Sequence, residues 1–138
     1  MISCTWQLSV CGINHKSASL DRREPLQLGR EDMAHANATL CDLPGVRESV
    51  ILSTCNRIEF YIITDRDRKP FDIVTAFYRE FKNIDIAAIQ PGFYIYTSRE
   101  AADHLFRVSS SVDSMVVGEN QILGQVKEAY SSACAVKS

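Results

Sequence analysis

The chain of 138 residues is long enough for one domain with a single core, and 46% apolar with 23% charged residues excludes a disordered or fibrous chain. Its formal net charge of −2, fifteen Lys and Arg against seventeen Asp and Glu, lacks the basic excess of an autonomous nucleic-acid binder. No uncharged apolar run approaches the roughly 18 residues of a membrane span, and residues 1–8 lack the basic start and apolar stretch of a signal peptide, so a cytoplasmic domain over 1–138 is expected.

Trp6, Leu8 and Val10 alternate with Gln7, Ser9 and Cys11, the period-two signature of a strand to Ile13, and Gly12-Ile13-Asn14-His15-Lys16-Ser17 breaks it into a loop. Residues 20–28 are charged and leave room for one helical turn ahead of Pro25. Met33, Ala36, Asn37 and Leu40 repeat at helical spacing until Pro44-Gly45 ends the helix. Strands over 48–54 and 57–64 follow so closely that they form a hairpin or tight corner around Cys55. Residues 65–70 are a mixed-charge solvated turn. Phe71, Val74, Phe77, Tyr78 and Phe81 then set an aromatic stripe on one side of a helix, facing the core. Pro91-Gly92 opens a fourth strand over 93–96, and Ser98 caps the next helix, with Arg99, Glu100 and Asp103 in its first turn. A last helix starts near Asn120 and carries Ile122, Leu123, Val126, Ala129, Tyr130 and Ala133 on one face. The order β-α-β-β-α-β followed by two C-terminal helices predicts an α+β fold: the ferredoxin-like split βαβ, an antiparallel sheet with helices on one face.

Five cysteines (Cys4, Cys11, Cys41, Cys55, Cys134), an odd number without a Cys-x-x-Cys pair, argue for reduced thiols over disulfides or zinc. Cys55 is the most informative, because it sits in Ser53-Thr54-Cys55-Asn56-Arg57 between two strands, where a rigid frame exposes a turn. Arg57 either favours the thiolate or clamps a carboxylate bidentately. Residue type alone favours the plainer alternative of a small cysteine buried at a strand end. His104, among Ala101, Leu105 and Phe106, is either a satisfied helix residue or a group positioned at an attacked carbonyl. His15 and His35 compete for that role, His35 being expected on a helix surface. The segment 108–127 is dense in hydroxyls and amides, which cap helices or wall a polar pocket. No Gly-x-Gly-x-x-Gly, Walker sequence or His-Glu-x-x-His occurs, so no nucleotide loop and no metal are expected.

Three blocks together resemble the glutamyl-tRNA reductase family: Gly12-Ile13-Asn14-His15-Lys16-Ser17-Ala18 with Leu20-Asp21-Arg22-Arg23-Glu24, then Ile51 to Tyr61 around Cys55, then Ser109 to Lys127. They stand in the family's order and spacing, and the resemblance covers nearly the whole chain. It implies the catalytic, glutamate-recognising N-terminal domain, in which Cys55 attacks the ester of glutamyl-tRNA to give a thioester that NADPH reduces to glutamate-1-semialdehyde for tetrapyrrole synthesis. It further implies His104 as the active-site histidine, Thr54 and Arg57 on the glutamyl group, and Ser114, Glu119 and Gln121 lining the same pocket. NADPH-binding and dimerisation domains are expected outside this chain, as are the homodimer and the partnership with glutamate-1-semialdehyde aminotransferase, and the fragment alone is not expected to complete the reduction. A non-catalytic ferredoxin-like module that binds RNA or protein is the alternative from a different class.

Overall fold

A computed structural model describes residues 5–111, which fold as a four-stranded antiparallel sheet covered by helices. In chain order the elements are β1 (Trp6–Asn14), α1 (Leu20–Arg23), α2 (Met33–Cys41), β2 (Val46–Ser53), β3 (Arg57–Asp65), α3 (Pro70–Lys82), β4 (Tyr94–Thr97) and α4 (Ser98–Ser111). Short 3-10 turns at Glu24–Leu26, Arg30–Asp32 and Ile86–Gly92 join them. The sheet order is β2-β3-β1-β4. The expected helix from Asn120 lies outside the described residues.

Local chemistry explains the boundaries. Pro70 opens α3, where its missing N–H costs nothing, and Asn83 ends it in the left-handed region at φ 57°. Asp72 near its start and Arg79 and Lys82 near its end complement the helix dipole. β1 runs on through Gly12 to Asn14, past the expected break, because Gly12 pairs with Glu59 on one side and Tyr94 on the other. Helix α4 follows β4 without a connecting loop: Ser98 takes φ 55°, a conformation uncommon for a residue with a Cβ, and reverses the chain there.

Strand alternation divides the core in two. One face carries Cys11, Ile13, Ile51, Ile58, Phe60 and Ile62 against α2 and α3, with Phe60 5.3 Å from Phe77 and 5.5 Å from Tyr78 between ring centroids. The aromatic stripe of α3 therefore points inward as its spacing predicts, with Phe77 and Tyr78 fully buried. The opposite face, Leu8, Val10, Leu52, Tyr61 and Ile63, packs on Ala101, Leu105 and Val108 of α4. Helices thus cover both faces of the sheet. The two helices of the β-α-β-β-α-β unit share one face as expected, and α4, whose side the sequence left open, covers the other, so no open aromatic platform for bases remains among the described residues.

Candidate active site

Cys55 is exposed on the turn between β2 and β3. The plainer reading of a buried cysteine belongs instead to Cys11, sealed in the core, where burial pushes its thiol well above the ordinary range. The backbone around Cys55 is held from several sides. Thr54 N–H donates to Arg57 O at 2.8 Å, and Thr54 Oγ1 accepts from the N–H groups of Asn56 and Arg57, each at 3.2 Å. Asn56 O accepts from His15 N–H at 2.8 Å, which ties the turn to the loop after β1. Arg23, only 7% exposed, donates through Nη1 to Cys55 O at 2.9 Å and through Nε to Ala18 O at 3.1 Å. The side chain of Cys55 is thus presented by a turn whose carbonyls are already committed, the arrangement that fixes a reactive group in space.

A buried polar cluster lies behind this turn. Arg57, Glu59 and Tyr61 alternate along one face of β3, and the Glu59 side chain is fully buried. Its Oε1 accepts from Tyr61 Oη at 2.6 Å. Its Oε2 lies 2.5 Å from Tyr94 Oη, 2.6 Å from His104 Nε2 and 3.1 Å from Arg57 Nη1. Asn14 Nδ2 donates to Tyr94 Oη at 3.4 Å. Burial pushes the Glu59 carboxyl up, yet hydrogen bonds from His104, Tyr61 and Tyr94 outweigh it and hold the group below its ordinary value of 4.5. Burial and the Glu59 charge push Tyr61 and Tyr94 well above 10, so both remain donors. Gly12 makes the cluster possible. A Cβ there would stand 2.6 Å from Ile58 O and 2.7 Å from Glu59 Cγ, so only glycine lets the Glu59 side chain lie across β1.

His104 and Arg57 also wall a pocket of about 270 Å³ together with His15, Lys16, Arg107 and Tyr96. Apart from Tyr96 its titratable lining is basic, which suits an anionic group such as a carboxylate. Cys55 is not part of this lining; its turn adjoins the pocket through His15 and Arg57.

The structure therefore brings Arg57 and His104 together through Glu59, and sets Thr54 as the residue that shapes the Cys55 turn. Arg57, expected near the sulfur or on a carboxylate of substrate, ion-pairs with Glu59, while His35 is exposed as expected. Ser114, Glu119 and Gln121 lie outside the described residues. Sequence reasoning missed Gly12, Arg23, Glu59, Tyr61 and Tyr94. The available signal was Arg57-Ile58-Glu59-Phe60-Tyr61, an acid between two polar-tipped residues at period two inside an otherwise apolar strand. Among the described residues, no group of three or more His, Cys, Asp or Glu side chains is placed to hold a metal, and no helix is long and apolar enough to cross a membrane.

Comparison with known proteins gives a consistent result. Residues 11–138 match the family model described as glutamyl-tRNAGlu reductase, N-terminal domain. The chain is 46% identical over 127 residues to the glutamyl-tRNA reductase of Solibacter usitatus, covering 92% of this chain and 30% of that protein. It is 41% identical over 138 residues to that of Thermodesulfovibrio yellowstonii, covering 95% and 32%. It superposes on the solved glutamyl-tRNA reductase from Methanopyrus kandleri with a TM-score of 0.53 at 32% identity, over 94% of this chain and 29% of that one. The chain thus spans about a third of the length of these relatives.

Proposed function

Because this chain belongs to the glutamyl-tRNA reductase family, as its N-terminal domain, we propose that it performs the acyl-transfer half of that reaction, with Cys55 as nucleophile. The observation that carries this reading is the solvent-exposed Cys55 on a turn clamped by Arg23, His15 and Thr54, beside a pocket walled by His104 and Arg57. The Cys55 thiolate attacks the ester carbonyl of glutamyl-tRNA, a C–S bond forms, the C–O bond to the terminal ribose breaks, and the leaving oxygen takes a proton. The product is a glutamyl thioester on Cys55, a better hydride acceptor than the oxygen ester. Thr54 shapes the turn, His104 handles the proton, and Arg57 with its basic neighbours receives the glutamyl carboxylate. Ser114, Glu119 and Gln121 are assigned to the same pocket by family resemblance.

NADPH supplies the hydride that releases glutamate-1-semialdehyde in tetrapyrrole synthesis. The residues here do not fit it: the pocket is smaller than the usual range for drug-sized ligands, and the sequence has no glycine-rich phosphate loop. No step of this domain is therefore routed through that cofactor. NADPH binding, the homodimer contacts and the surface for the aminotransferase that consumes the semialdehyde are placed in the longer enzyme, and the domain is read as cytoplasmic. We also read the order β2-β3-β1-β4 with α2 and α3 on one face as the ferredoxin-like split βαβ.

The test uses glutamyl-tRNA carrying labelled glutamate, an acid quench, and recovery of label on the chain. Label should be released by hydroxylamine and vanish in Cys55→Ser; label retained by that variant sinks the assignment. Iodoacetamide gives a second check: it should label Cys55 ahead of Cys41, which is also exposed, and equal labelling would undercut an activated thiolate. Salt-sensitive RNA binding that survives loss of both Cys55 and Arg57, without acyl transfer, would instead identify a binding module.

A further inference from the structure

Which nitrogen of a catalytic imidazole meets the substrate is decided by what holds the other one. For His104 the surroundings settle this by counting hydrogens. Asn14 Nδ2 donates into the Tyr94 oxygen, and the Tyr94 proton is directed at Glu59. Tyr61 Oη donates to the other Glu59 oxygen, and Arg57 has nothing but donors. A protonated Glu59 would leave the guanidinium of Arg57, whose side chain is only 13% exposed, without its anion. Glu59 is therefore an acceptor for every neighbour, and an unprotonated Nε2 would set two lone pairs against each other at 2.6 Å. We infer that Glu59 is a positioning residue that holds His104 as its Nε2–H tautomer, so that Nδ1 carries the proton during acyl transfer at Cys55. This rests on the reading of Cys55 as nucleophile.

The remaining geometry agrees. Tyr94 and Tyr96 flank the imidazole with ring centroids 5.4 and 5.0 Å away, which resists rotation of the ring. The ring forms part of the pocket wall, and Nδ1 is not among the buried side-chain atoms without a partner, which among the described residues are Ser9 Oγ and Arg57 Nε. The proton balance closes without any further reagent. Nδ1 of the neutral ring takes the thiol proton as the S–H bond breaks, and the imidazolium is held against the Glu59 carboxylate. The thiolate then adds to the ester carbonyl carbon. When the intermediate collapses, the ribose oxygen leaves and takes the Nδ1 proton, and the ring is neutral again. Glu59 never exchanges a proton with the substrate; it selects the tautomer and faces the charge.

The test has two independent arms on the 138-residue chain. Long-range proton–nitrogen NMR of histidine-labelled protein, with His104 assigned by its loss in His104→Gln, should show Nε2 protonated and Nδ1 free near neutral pH. A parent spectrum with Nδ1 protonated overturns the proposal whether or not any variant folds. In the second arm, single-turnover acylation by labelled glutamyl-tRNA is measured for the parent, Glu59→Gln and His104→Gln, and corrected for the folded fraction. Glu59→Gln should slow acylation by roughly 10²–10⁴-fold while half-saturation changes less than threefold. His104→Gln keeps a donor for Glu59 but lacks Nδ1, so it should fold like the parent and acylate as slowly. A purely structural Glu59 would lower the folded fraction and leave the rate per folded chain unchanged, and Glu59→Gln within threefold of the parent overturns the proposal. If the parent is not acylated at Cys55, the nucleophile reading fails, and the spectrum alone decides the tautomer.

Discussion

Replacing Gly12 by alanine tests whether the space beside Glu59 is as full as the structure indicates. The added Cβ would lie 2.6 Å from Ile58 O, 2.7 Å from Glu59 Cγ and 3.0 Å from Glu59 Cα. Two of those atoms are backbone, so the strands must part or Glu59 must leave its donors. Overpacking of this kind costs about 1–3 kcal/mol. Weakening hydrogen bonds to a buried charge adds roughly 1.5–3 kcal/mol. The lower backbone entropy of unfolded alanine offsets at most about 1 kcal/mol. The net loss is about 3 kcal/mol, or roughly 10 °C in Tm for a chain of this size. Thermal unfolding followed by circular dichroism measures it, with Gly29→Ala as the control. A Cβ at Gly29 meets only the Glu31 carboxylate, at 3.0–3.3 Å, and that side chain can swing away. A Gly12→Ala chain that melts within about 2 °C of this control would refute the packing argument.

Other consequences follow from the same groups. Glu59 has a depressed folded value, so its stabilising contribution is complete above the ordinary 4.5 and is lost as pH falls through the lower folded value. Urea unfolding between pH 3 and 7, values chosen to bracket that window, should show an acid decline that is shallower in Glu59→Gln. Tyr61 and Tyr94 run the other way: above the ordinary 10.0 the unfolded chain releases protons that the folded one retains, so stability should fall with rising pH, less steeply in Tyr61→Phe. Arg23→Met leaves the carbonyls of Ala18 and Cys55 without their charged donor and should cost about 2–3 kcal/mol in urea denaturation; Arg23→Lys should recover only part of it, because one ammonium replaces a two-pronged fork.

Periodicity made the elements legible. The aromatic stripe of α3 reflects burial on one side, with Phe77 and Tyr78 in the core, whereas the alternation in β1 marks the strand but not its burial, since Ser9 and Cys11 are as buried as Leu8 and Val10. Periodicity does not say on which face of a sheet a helix docks, so the side taken by α4 was not legible until the fold placed it opposite α2 and α3. Glu59 escaped notice because most of β3 reads as apolar, and a lone acid in such a strand shows its purpose only when Tyr94 and His104 arrive from 35 and 45 residues away. Arg23 sits in a charged stretch that reads as a single helical turn, and only the fold brings its guanidinium to the Cys55 carbonyl. Gly12 reads as a loop residue until its cross-strand neighbours reveal the space it leaves open.

The loop-free step from β4 into α4 at Ser98 makes the helix a lever. His104 sits six residues along it, about 9 Å from the pivot at the helical rise. A tilt of roughly 10° at that joint would swing the imidazole by about 1.5 Å, and a 1 Å misplacement can already cost about a hundredfold in rate. Among the described residues β4 is an edge of the sheet, so on the proposed role of His104 a shift of that edge would reach the reaction through Ser98.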